Sequence, residues 1–326
     1  MSKKSKERHQ ARTEYFEYLK ETAEAVDHYV KEFIQSKYDT NPELMQKLMQ
    51  RYRFGKPQLR PAQVRIAYEL SGGNNWQKTI PACASVEAKD TGYYCYDDVL
   101  DSHANPDLIL LGGIFSSMSY RMLNDLNSDF SANLVRKTIE ELAELDSENA
   151  NAVLIDLNLR EPDMNTYLQK VKGYNFWERA LRLGATLGKA TNEELDAIGL
   201  AGRNIGMAYI IANDTWDFGK DLEDFRAGKY TFPNMIALSE APEKDRQELE
   251  ELFGQRTLTP DQIEKVRQIV VQHGVIEKGK QLAQEYCDKG LEILADFSDS
   301  RARRMIEFAT TMTQRNKFYD LLKRYE

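Results

Sequence analysis

Three aspartates stand close together in the stretch YYCYDDVLDSHA, in which the flanking residues are largely aromatic or apolar. If this stretch is helical, Asp97 and Asp101 lie one turn apart on one face with Asp98 beside them, so the carboxylates can converge. Converging carboxylates repel one another unless cations neutralise them. Mg²⁺ suits such oxygen ligands and is commonly shared with substrate phosphates. The alternative interpretation is a solvated helix end, because DDxxD also arises by chance in long chains.

A second acidic cluster favours the metal interpretation. In the segment GMAYIIANDTWDFGKDLEDF, Asn213, Asp217 and Asp221 recur every four residues, and Asp214 flanks the first of them. Each cluster follows an apolar or aromatic run, which predicts an apolar cavity capped by metal-binding acids. Such a cavity suits a substrate with an apolar chain and a phosphate or diphosphate head group.

Lysines near the two clusters offer positive charge for that head group. The candidates are Lys172, Lys220 and Lys229. A lysine can bind phosphate through charge-assisted hydrogen bonds. The alternative for each of the three is an ordinary exposed lysine, which is where this residue type is usually found.

Helices are the elements that must position these residues. Apolar residues recur every three or four positions in segments such as TEYFEYLKETAEAVDHYVKEFI and RQIVVQHGVIEKGKQLAQEYCDKGLEILADF, so we expect an almost entirely α-helical protein. In RTLTPDQ, a Thr ahead of a Pro is typical of a helix start. No turn segment resembles an interdomain linker. The sequence therefore predicts one domain over residues 1–326, a single large all-α helical bundle with a central cavity and a basic flexible tail at residues 1–12.

Composition excludes several classes of protein. A net charge of -8 gives no reason to expect a nucleic-acid partner. The three cysteines lie far apart, which argues against a disulfide framework or a structural zinc site and fits a reducing cytoplasm. The chain lacks a signal-peptide pattern and its longest apolar stretch, LILLGGIFSSM, is too short to span a bilayer, so we expect membrane contact to be peripheral at most. It also lacks HExxH, GxxxxGK[ST] and GxGxxG motifs.

The order of these motifs resembles that of the trans-type polyprenyl diphosphate synthases, over roughly residues 50 to 320. GKPQLRP resembles the family's GGKRLRP loop, and VEAKDTGYYCYDDVLD resembles its ELIHTASLIHDDxxD helix. VKGYNFWERALRLGATLG resembles KTAxLFxxAxxLGA, and GRNIGMAYIIANDTWD resembles GxxLGxAFQIxDDxxD. GKDLEDFRAGKYTFP resembles GKxxGxDLxxGKxTLP. The resemblance implies the all-helical class I isoprenoid synthase fold and a homodimer.

The resemblance also implies a Mg²⁺-dependent reaction in which diphosphate leaves an allylic prenyl diphosphate. It implies three Mg²⁺ ions bound by Asp97, Asp101 and Asp217, with Asp98, Asn213, Asp214 and Asp221 as neighbouring ligands. The implied diphosphate-binding cations are Lys56, Arg60, Lys172, Lys220 and Lys229. The resemblance also implies that Lys172 and the acids of both motifs are catalytic. By the same analogy, Gly92 and Tyr93 help to set chain length, and Tyr93 and Tyr94 form part of the cavity wall. The alternative for these three residues is core packing.

Departures from the family pattern concentrate where the family binds isopentenyl diphosphate, its usual acceptor. Pro57 and Gln58 replace a Lys and an Arg, and Asp90 replaces a His. The Arg pair that follows the first acidic motif in the family is missing, Gly173 replaces a Thr and Ile210 replaces a Gln. Losing several charge-assisted contacts of about 1.5 to 3 kcal/mol each would weaken binding by several orders of magnitude. The sequence therefore predicts an altered acceptor site.

Three hypotheses follow. The first is a prenyltransferase that ionises an allylic diphosphate and transfers the prenyl group either to isopentenyl diphosphate, held in an unusual way, or to another nucleophile. The second is an enzyme similar to class I terpene cyclases, which needs one diphosphate only, because Asn213, Asp217 and Asp221 echo the spacing of NDxxSxxxE. The third is a regulatory subunit of a heteromeric prenyl synthase, although a subunit without activity has no need of converging carboxylates.

Overall fold

Helices make up all the regular secondary structure in the part of the chain that the computed structural model describes, namely residues 3–56, 58–102, 105–218 and 222–314. This confirms the all-α prediction. The helices are α1 Lys3–Tyr38, α2 Pro42–Arg51, α3 Leu59–Leu70, α4 Ile80–Ser102, α5 Asp107–Asn124, α6 Ala132–Asn158, α7 Met164–Gly173, α8 Phe176–Leu187, α9 Asn192–Phe218, α10 Glu223–Arg226, α11 Phe232–Glu240, α12 Glu243–Leu252, α13 Pro260–Gln272, α14 Val275–Leu294 and α15 Arg301–Gln314. Short 3₁₀ turns at Trp76–Thr79 and Asp125–Ser128 precede α4 and follow α5.

Local sequence explains several helix starts. The side chain of Thr259 accepts a hydrogen bond from the backbone N–H of Gln262, and Gln262 returns one to the backbone N–H of Thr259. This capping box, with Pro260 as the first helical residue, confirms the helix start predicted from RTLTPDQ. Asp163 caps α7 by accepting hydrogen bonds from the backbone N–H groups of Asn165 and Thr166, without a reciprocal bond. Such caps satisfy N–H groups that have no partner inside the helix.

Two predicted elements differ in the structure. The periodic segment 267–297 forms two helices rather than one, because the backbone turns at Gly274 with a φ of +63°. Glycine adopts this left-handed conformation without the steric penalty of a Cβ atom. Residues 3–12, predicted as a flexible tail, continue α1 as helix.

Close helix contacts fix the arrangement around α4 and α9. α4 packs along α5, α9 packs along α14, and α8 lies between α3 and α9. A Cβ atom on Gly92 would lie 3.0 Å from the carbonyl oxygen of Gly112, so glycine at this position lets α4 and α5 approach closely. The two helices that carry the acidic motifs are therefore held by extensive packing against their neighbours.

The buried apolar residues form three main clusters. One unites α1 to α6 with α8, a second unites α7 with α9 to α14, and a third joins α1, α3, α8 and α9 to α14 and α15. None of the described helices has the length and apolar character that a membrane span requires.

Candidate active site

Both acidic motifs contribute to one cavity of about 700 Å³. Asp97 reaches it from α4, and Asn213 and Asp214 reach it from α9. The apolar residues Val153, Leu157 and Ile210 complete much of the wall between them. The two clusters, 116 residues apart in sequence when counted from Asp97 to Asn213, thus share one cavity, as the sequence predicted.

The neighbouring Asp98 is engaged away from this cavity. Arg51 of α2 donates from Nη2 to Asp98 Oδ2 at 2.7 Å and from Nε to Cys95 Sγ at 3.2 Å. A guanidinium that bonds both groups neutralises Asp98 and orients the last turns of α4. The structure therefore gives Asp98 a partner within the protein, and Arg51 is a residue that the sequence motifs did not indicate.

Asp214 is held by two hydrogen bonds. The hydroxyl of Tyr167 donates to Asp214 Oδ2 at 2.7 Å, and the backbone N–H of Phe232 donates to the same oxygen at 3.2 Å. Burial raises the pKa of Asp214, while the positive charge of Lys170 and these hydrogen bonds act in the opposite direction. Asp214 thus joins α9 to α7 and α11, and its second oxygen can serve a ligand in the cavity.

The donor set fits Mg²⁺ shared with a phosphate ligand. Asp97 and Asn213 place a carboxylate and an amide on different walls of the cavity, and Mg²⁺ prefers such oxygen ligands together with water and substrate phosphates. Among the described side chains, no three His, Cys, Asp or Glu residues converge tightly enough to form a metal site from protein groups alone. The side chains of Asp101 and Asp217, and all of Asp221, lie outside the described residues.

The lysine of α7 that lines the cavity is Lys170, whereas the sequence indicated Lys172. Lys170 is buried and lines the cavity, and its Nζ donates to Asp156 Oδ1 at 2.7 Å and to the carbonyl oxygen of Tyr230 at 3.3 Å. Lys172 is exposed on α7 and is not among the residues that line the cavity. The two lysines are two positions apart, and a helix turns by about 200° over two residues, so only one of them can face the site.

Three further cations surround the same cavity. Lys229 lines the cavity, as predicted, and its Nζ lies 3.8 Å from Asp224 Oδ1. Arg160 and Arg256 also line it, although no motif marked them. The hydroxyl of Tyr230 donates to the carbonyl oxygen of Arg160 at 3.0 Å, which ties the two loops together. Lys220 lies outside the described residues.

A second, largely apolar cavity of about 640 Å³ adjoins the first. Asp97, Leu100 and Val153 line both cavities. Tyr93 lines the second cavity, as predicted, whereas Gly92 packs against α5. Tyr94 points elsewhere, with the guanidinium of Arg53 4.3 Å from the centre of its ring. One of the three predicted chain-length residues therefore borders the space beside the acids.

Arg60, expected to bind diphosphate, belongs to an internal ion cluster. Arg53 Nη2 lies 3.4 Å from Asp90 Oδ2 and 3.8 Å from Glu87 Oε1, and Arg60 Nε lies 3.6 Å from Asp90 Oδ1. The guanidinium of Arg60 also packs against the ring of Phe176, at 4.8 Å. Asp90, which replaces the His of the family pattern, lies near both arginines and offsets part of their positive charge.

The loop that resembles GGKRLRP is likewise bound within the protein. Gln58 Nε2 donates to Asp27 Oδ1 at 2.7 Å, and the backbone N–H of Gly55 donates to Asp27 Oδ2 at 2.7 Å. Lys56 borders a separate cavity of about 490 Å³ beside α1, which Asp27 also lines. Pro57 lies outside the described residues. Neither Lys56 nor Arg60 lines the cavity that contains the acidic motifs.

Residues 42–270 match the family model described as polyprenyl synthetase. The match includes both acidic motifs, the helices that carry them and the loop around Lys229. The chain belongs to the polyprenyl synthetase family. The relatives that match this chain are prenyl diphosphate synthases, which are prenyltransferases.

Related proteins extend the similarity over nearly the whole chain. The geranylgeranyl diphosphate synthase of Saccharolobus solfataricus is 23% identical over 329 aligned positions, covering 92% of this chain and 98% of the relative. The geranylfarnesyl diphosphate synthase of Aeropyrum pernix is 24% identical over 298 aligned positions, covering 83% and 92%.

Solved structures share the fold of this polyprenyl synthetase. The geranylgeranyl pyrophosphate synthetase from Pyrococcus horikoshii superposes with a TM-score of 0.84 at 20% identity, covering 93% of this chain and 98% of that one. A geranylgeranyl pyrophosphate synthase from Corynebacterium glutamicum, solved with isoprenyl diphosphate and magnesium, gives a TM-score of 0.79 at 18% identity, covering 91% and 98%. These likenesses confirm the class I isoprenoid synthase fold.

Replacing Lys170 should weaken diphosphate binding far more than replacing Lys172. We expect Lys170→Met to raise the dissociation constant for inorganic diphosphate, measured by calorimetry with Mg²⁺ present, roughly ten- to hundredfold, because a charge-assisted contact is lost. Lys172→Met is the matched control and should leave it within about twofold. An equal loss in both variants would contradict the placement of Lys170, provided that both keep the thermal midpoint of the wild type.

The ion cluster around Glu87 predicts a pH-dependent stability. Burial and the neighbouring charge of Asp90 raise the pKa of Glu87 to about 8 from an ordinary value of 4.5. Between these values the folded state holds a proton that the unfolded chain has released, so the free energy of unfolding falls as pH rises, by at most about 1.4 kcal/mol per pH unit. Glu87→Gln is neutral throughout this range. We therefore expect the variant to gain stability relative to wild type between about pH 5 and about pH 8 in denaturant titrations. A difference that does not change with pH would contradict this assignment.

Proposed function

We propose that the protein is a Mg²⁺-dependent prenyltransferase of isoprenoid biosynthesis that ionises an allylic prenyl diphosphate. The observation that carries the proposal is the single cavity shared by Asp97, Asn213 and Asp214, with Lys170 and Lys229 in its wall and an apolar cavity beside it. An anionic head group suits the first cavity in the presence of Mg²⁺, and a hydrocarbon chain suits the second. Family membership and the diphosphate synthases among the relatives support the same reaction class.

The proposed mechanism separates charge between the two cavities. The diphosphate head group lies among the residues of both acidic motifs, with Asp97, Asp101, Asn213 and Asp217 as the residues that would hold Mg²⁺. Mg²⁺, when bound, neutralises the charge that develops on the leaving diphosphate. Lys170 and Lys229 donate hydrogen bonds to the same oxygens and stabilise the leaving group as the C–O bond breaks. The resemblance implies three bound Mg²⁺ ions, and we include this number in the proposal.

The prenyl chain and its allylic cation lie on the side of the second cavity. Tyr93 and Tyr96 line this space together with aliphatic side chains of α4, α5 and α6. Aromatic rings stabilise a neighbouring cation through their π electrons and exclude the water that would quench it. The walls of the second cavity therefore protect the reactive carbon that the first cavity generates.

The acceptor site is the part of the reaction that we propose to be altered. Arg53 and Arg60 are both paired with Asp90, and Gln58 is bonded to Asp27. An acceptor diphosphate would have to break these ion pairs before it gained its own, which removes most of the net attraction. We propose an acceptor that is either isopentenyl diphosphate bound weakly or a nucleophile without a diphosphate group.

The internal pairing of the acceptor-region arginines also favours a second candidate, a terpene-cyclase-like reaction that uses a single prenyl diphosphate. Such a reaction needs no second phosphate pocket, and the cation is quenched internally or by water. The third hypothesis, a regulatory subunit, has less support, because both acidic motifs are retained around the cavity.

We propose that two copies of the chain, each a single domain over residues 1–326, associate through α5 and α6. Ile109 and Leu110 on α5 are 50% and 68% exposed, and Leu154 on α6 is 59% exposed. Ile109 and Leu154 also line the second cavity, so a partner on this face would close it. Exposed apolar side chains grouped in this way are typical of interaction surfaces. From the composition of the chain we also propose that the protein is cytoplasmic.

The decisive experiment supplies purified protein and Mg²⁺ with geranyl, farnesyl or geranylgeranyl diphosphate, each with and without isopentenyl diphosphate. We expect release of diphosphate with at least one allylic substrate and a high KM for isopentenyl diphosphate, because the arginines are already paired. Mass spectrometry of the products separates the candidates. Hydrocarbons or terpene alcohols formed without an acceptor would favour the cyclase reaction. Efficient elongation at low concentrations of isopentenyl diphosphate would overturn the altered acceptor site.

In the same assay, Asp97→Asn should lower diphosphate release by about a hundredfold or more, whereas Glu144→Gln on the exposed side of α6 should not change it.

The proposed dimer can be tested by light scattering. Leu110→Glu combined with Leu154→Glu should convert the dimer into a monomer, because charges would be buried against an apolar surface. Val271→Glu is the matched control, since Val271 is 66% exposed but lies on α13. A wild-type mass equal to that of one chain would contradict the proposal outright.

A further inference from the structure

Tyr230 joins three other segments of the chain beside the first cavity. Its hydroxyl donates to the carbonyl oxygen of Arg160, in the loop between α6 and α7, at 3.0 Å. Its own carbonyl oxygen accepts a hydrogen bond from Lys170 Nζ of α7 at 3.3 Å. Its ring packs against the ring of Phe253, which follows α12, with the ring centres 4.9 Å apart. We call Tyr230 and these three partners the Tyr230 junction.

A contact between two glycines docks the loop after α12 on the loop after α10. Gly228 and Gly254 have φ angles of +72° and +80°, and a Cβ atom on Gly228 would lie 3.3 Å from the Cα atom of Gly254. The backbone N–H of Gly254 donates to the carbonyl oxygen of Phe225 at 3.0 Å. Glycine permits both the left-handed conformation and the close approach. The two docked loops carry Lys229 and Arg256.

The Tyr230 junction and the glycine contact gather four cations in the wall of one cavity. Lys170 and Lys229 have a role in the proposed mechanism, and Arg160 and Arg256 line the same cavity. Both arginines are exposed. Nη1 of Arg160 donates to the carbonyl oxygen of Leu159 at 3.3 Å, and Arg256 forms no ion pair with any side chain that the structure describes. The two guanidiniums can therefore bind an anion without breaking an ion pair between described side chains.

Positive charge is missing from the segment that follows the first acidic motif. The sequence SHANPDLILLGG contains neither Lys nor Arg, although the family pattern has an Arg pair there. A leaving diphosphate concentrates negative charge, and each cation that contacts it adds to its stabilisation. Tyr230 stands at the position that the pattern GKxTLP leaves open, so the resemblance does not imply the Tyr230 junction.

We propose that Arg160 and Arg256 bind the leaving diphosphate in place of the missing Arg pair, and that Tyr230 positions both of them. This inference rests on the proposed function, because it assigns the first cavity to the diphosphate group. The hydroxyl of Tyr230 positions Arg160 through its backbone, and the ring positions Arg256 through Phe253. The two arginines contact the anion, whereas Tyr230 acts through them.

The first test measures binding of inorganic diphosphate by calorimetry with Mg²⁺ present. We expect Arg160→Gln and Arg256→Gln each to raise the dissociation constant about tenfold, because each removes a charge-assisted contact. Arg136→Gln is the matched control, since the Arg136 side chain is 62% exposed on α6 and is not among the residues that line the cavity. The control should change the dissociation constant by less than about twofold. If neither cavity variant weakens binding more than the control does, the inference is overturned.

Double-mutant cycles separate positioning by Tyr230 from a general structural effect. Tyr230→Phe removes the hydroxyl and keeps the ring, so it should raise the dissociation constant about threefold in the wild-type background. In the Arg160→Gln background its effect should nearly vanish, whereas in the Arg256→Gln background it should stay about threefold. An equal effect in all three backgrounds would assign Tyr230 a structural role and overturn the positioning of Arg160.

The ring of Tyr230 is tested in the same way. Tyr230→Leu removes the ring as well as the hydroxyl, and should weaken binding further than Tyr230→Phe does. This additional loss should disappear in the Arg256→Gln background, because the ring acts on Arg256 through Phe253. An additional loss of the same size in that background would overturn the positioning of Arg256.

Failure of the inference differs from failure of the function on which it rests. If wild-type protein does not bind diphosphate with Mg²⁺, the proposed function itself fails. If wild type binds it and both glutamine variants behave like Arg136→Gln, only the inference is overturned. Arg160→Lys and Arg256→Lys guard against misfolding, because they keep the charge and should lose less affinity than the glutamine variants. A loss as large as that of the glutamine variants, with the thermal midpoint lowered in both sets, would assign the arginines a structural role and overturn the inference.

Discussion

Electrostatic repulsion between the two acidic motifs is the constraint on which the site depends. Asp97 on α4 and Asp214 on α9 line one cavity, and the structure must hold these helices together although their facing groups repel. Packing against neighbouring helices supplies the restraint, since α4 lies along α5 and α9 lies along α14. Cations reduce the repulsion locally. Arg51 pairs with Asp98, and Lys170 lies near Asp214. What remains is a cavity that presents carboxylates and cations side by side, which suits divalent cations brought in with an anionic ligand.

Charge compensation inside the protein also explains why the chain departs from its family at the acceptor region. Positive charge survives there, as Arg53 and Arg60, but Asp90 lies near both guanidiniums and offsets part of it. A charged residue that matches a motif in sequence is therefore not always free to bind a ligand in the structure. Arg60 matches the family pattern in sequence and is internally paired in the structure. Lys170 matches no motif and is also paired, with Asp156, but unlike Arg60 it lines the cavity with the acids.

The sequence was sufficient for the features that depend on local pattern. Helical periodicity predicted the all-α fold, RTLTPDQ predicted the start of α13, and the two acidic motifs predicted a shared cavity. Other features depend on contacts between distant segments. The choice between Lys170 and Lys172 depends on the rotation of α7 about its axis, which periodicity over ten residues does not fix. Arg160, Arg256 and Asp146 carry no motif, and only the packing of loops and helices brings them to the cavities. Gly274 was visible in the sequence, but its positive φ follows from the turn between α13 and α14.

Helix α4 connects these observations, because its faces serve different purposes. Glu87 and Asp90 lie three positions apart and face the arginines of the acceptor region. Lys89 and Tyr93 lie four positions apart and face Asp146, on the side of the second cavity. Asp97 ends the same stretch at the boundary of both cavities. A helix repeats every 3.6 residues, so any rotation of α4 that improved one face would misplace the others. The ion pairs on both sides therefore hold α4 in one orientation, and the position of Asp97 depends on charges that never contact the substrate head group.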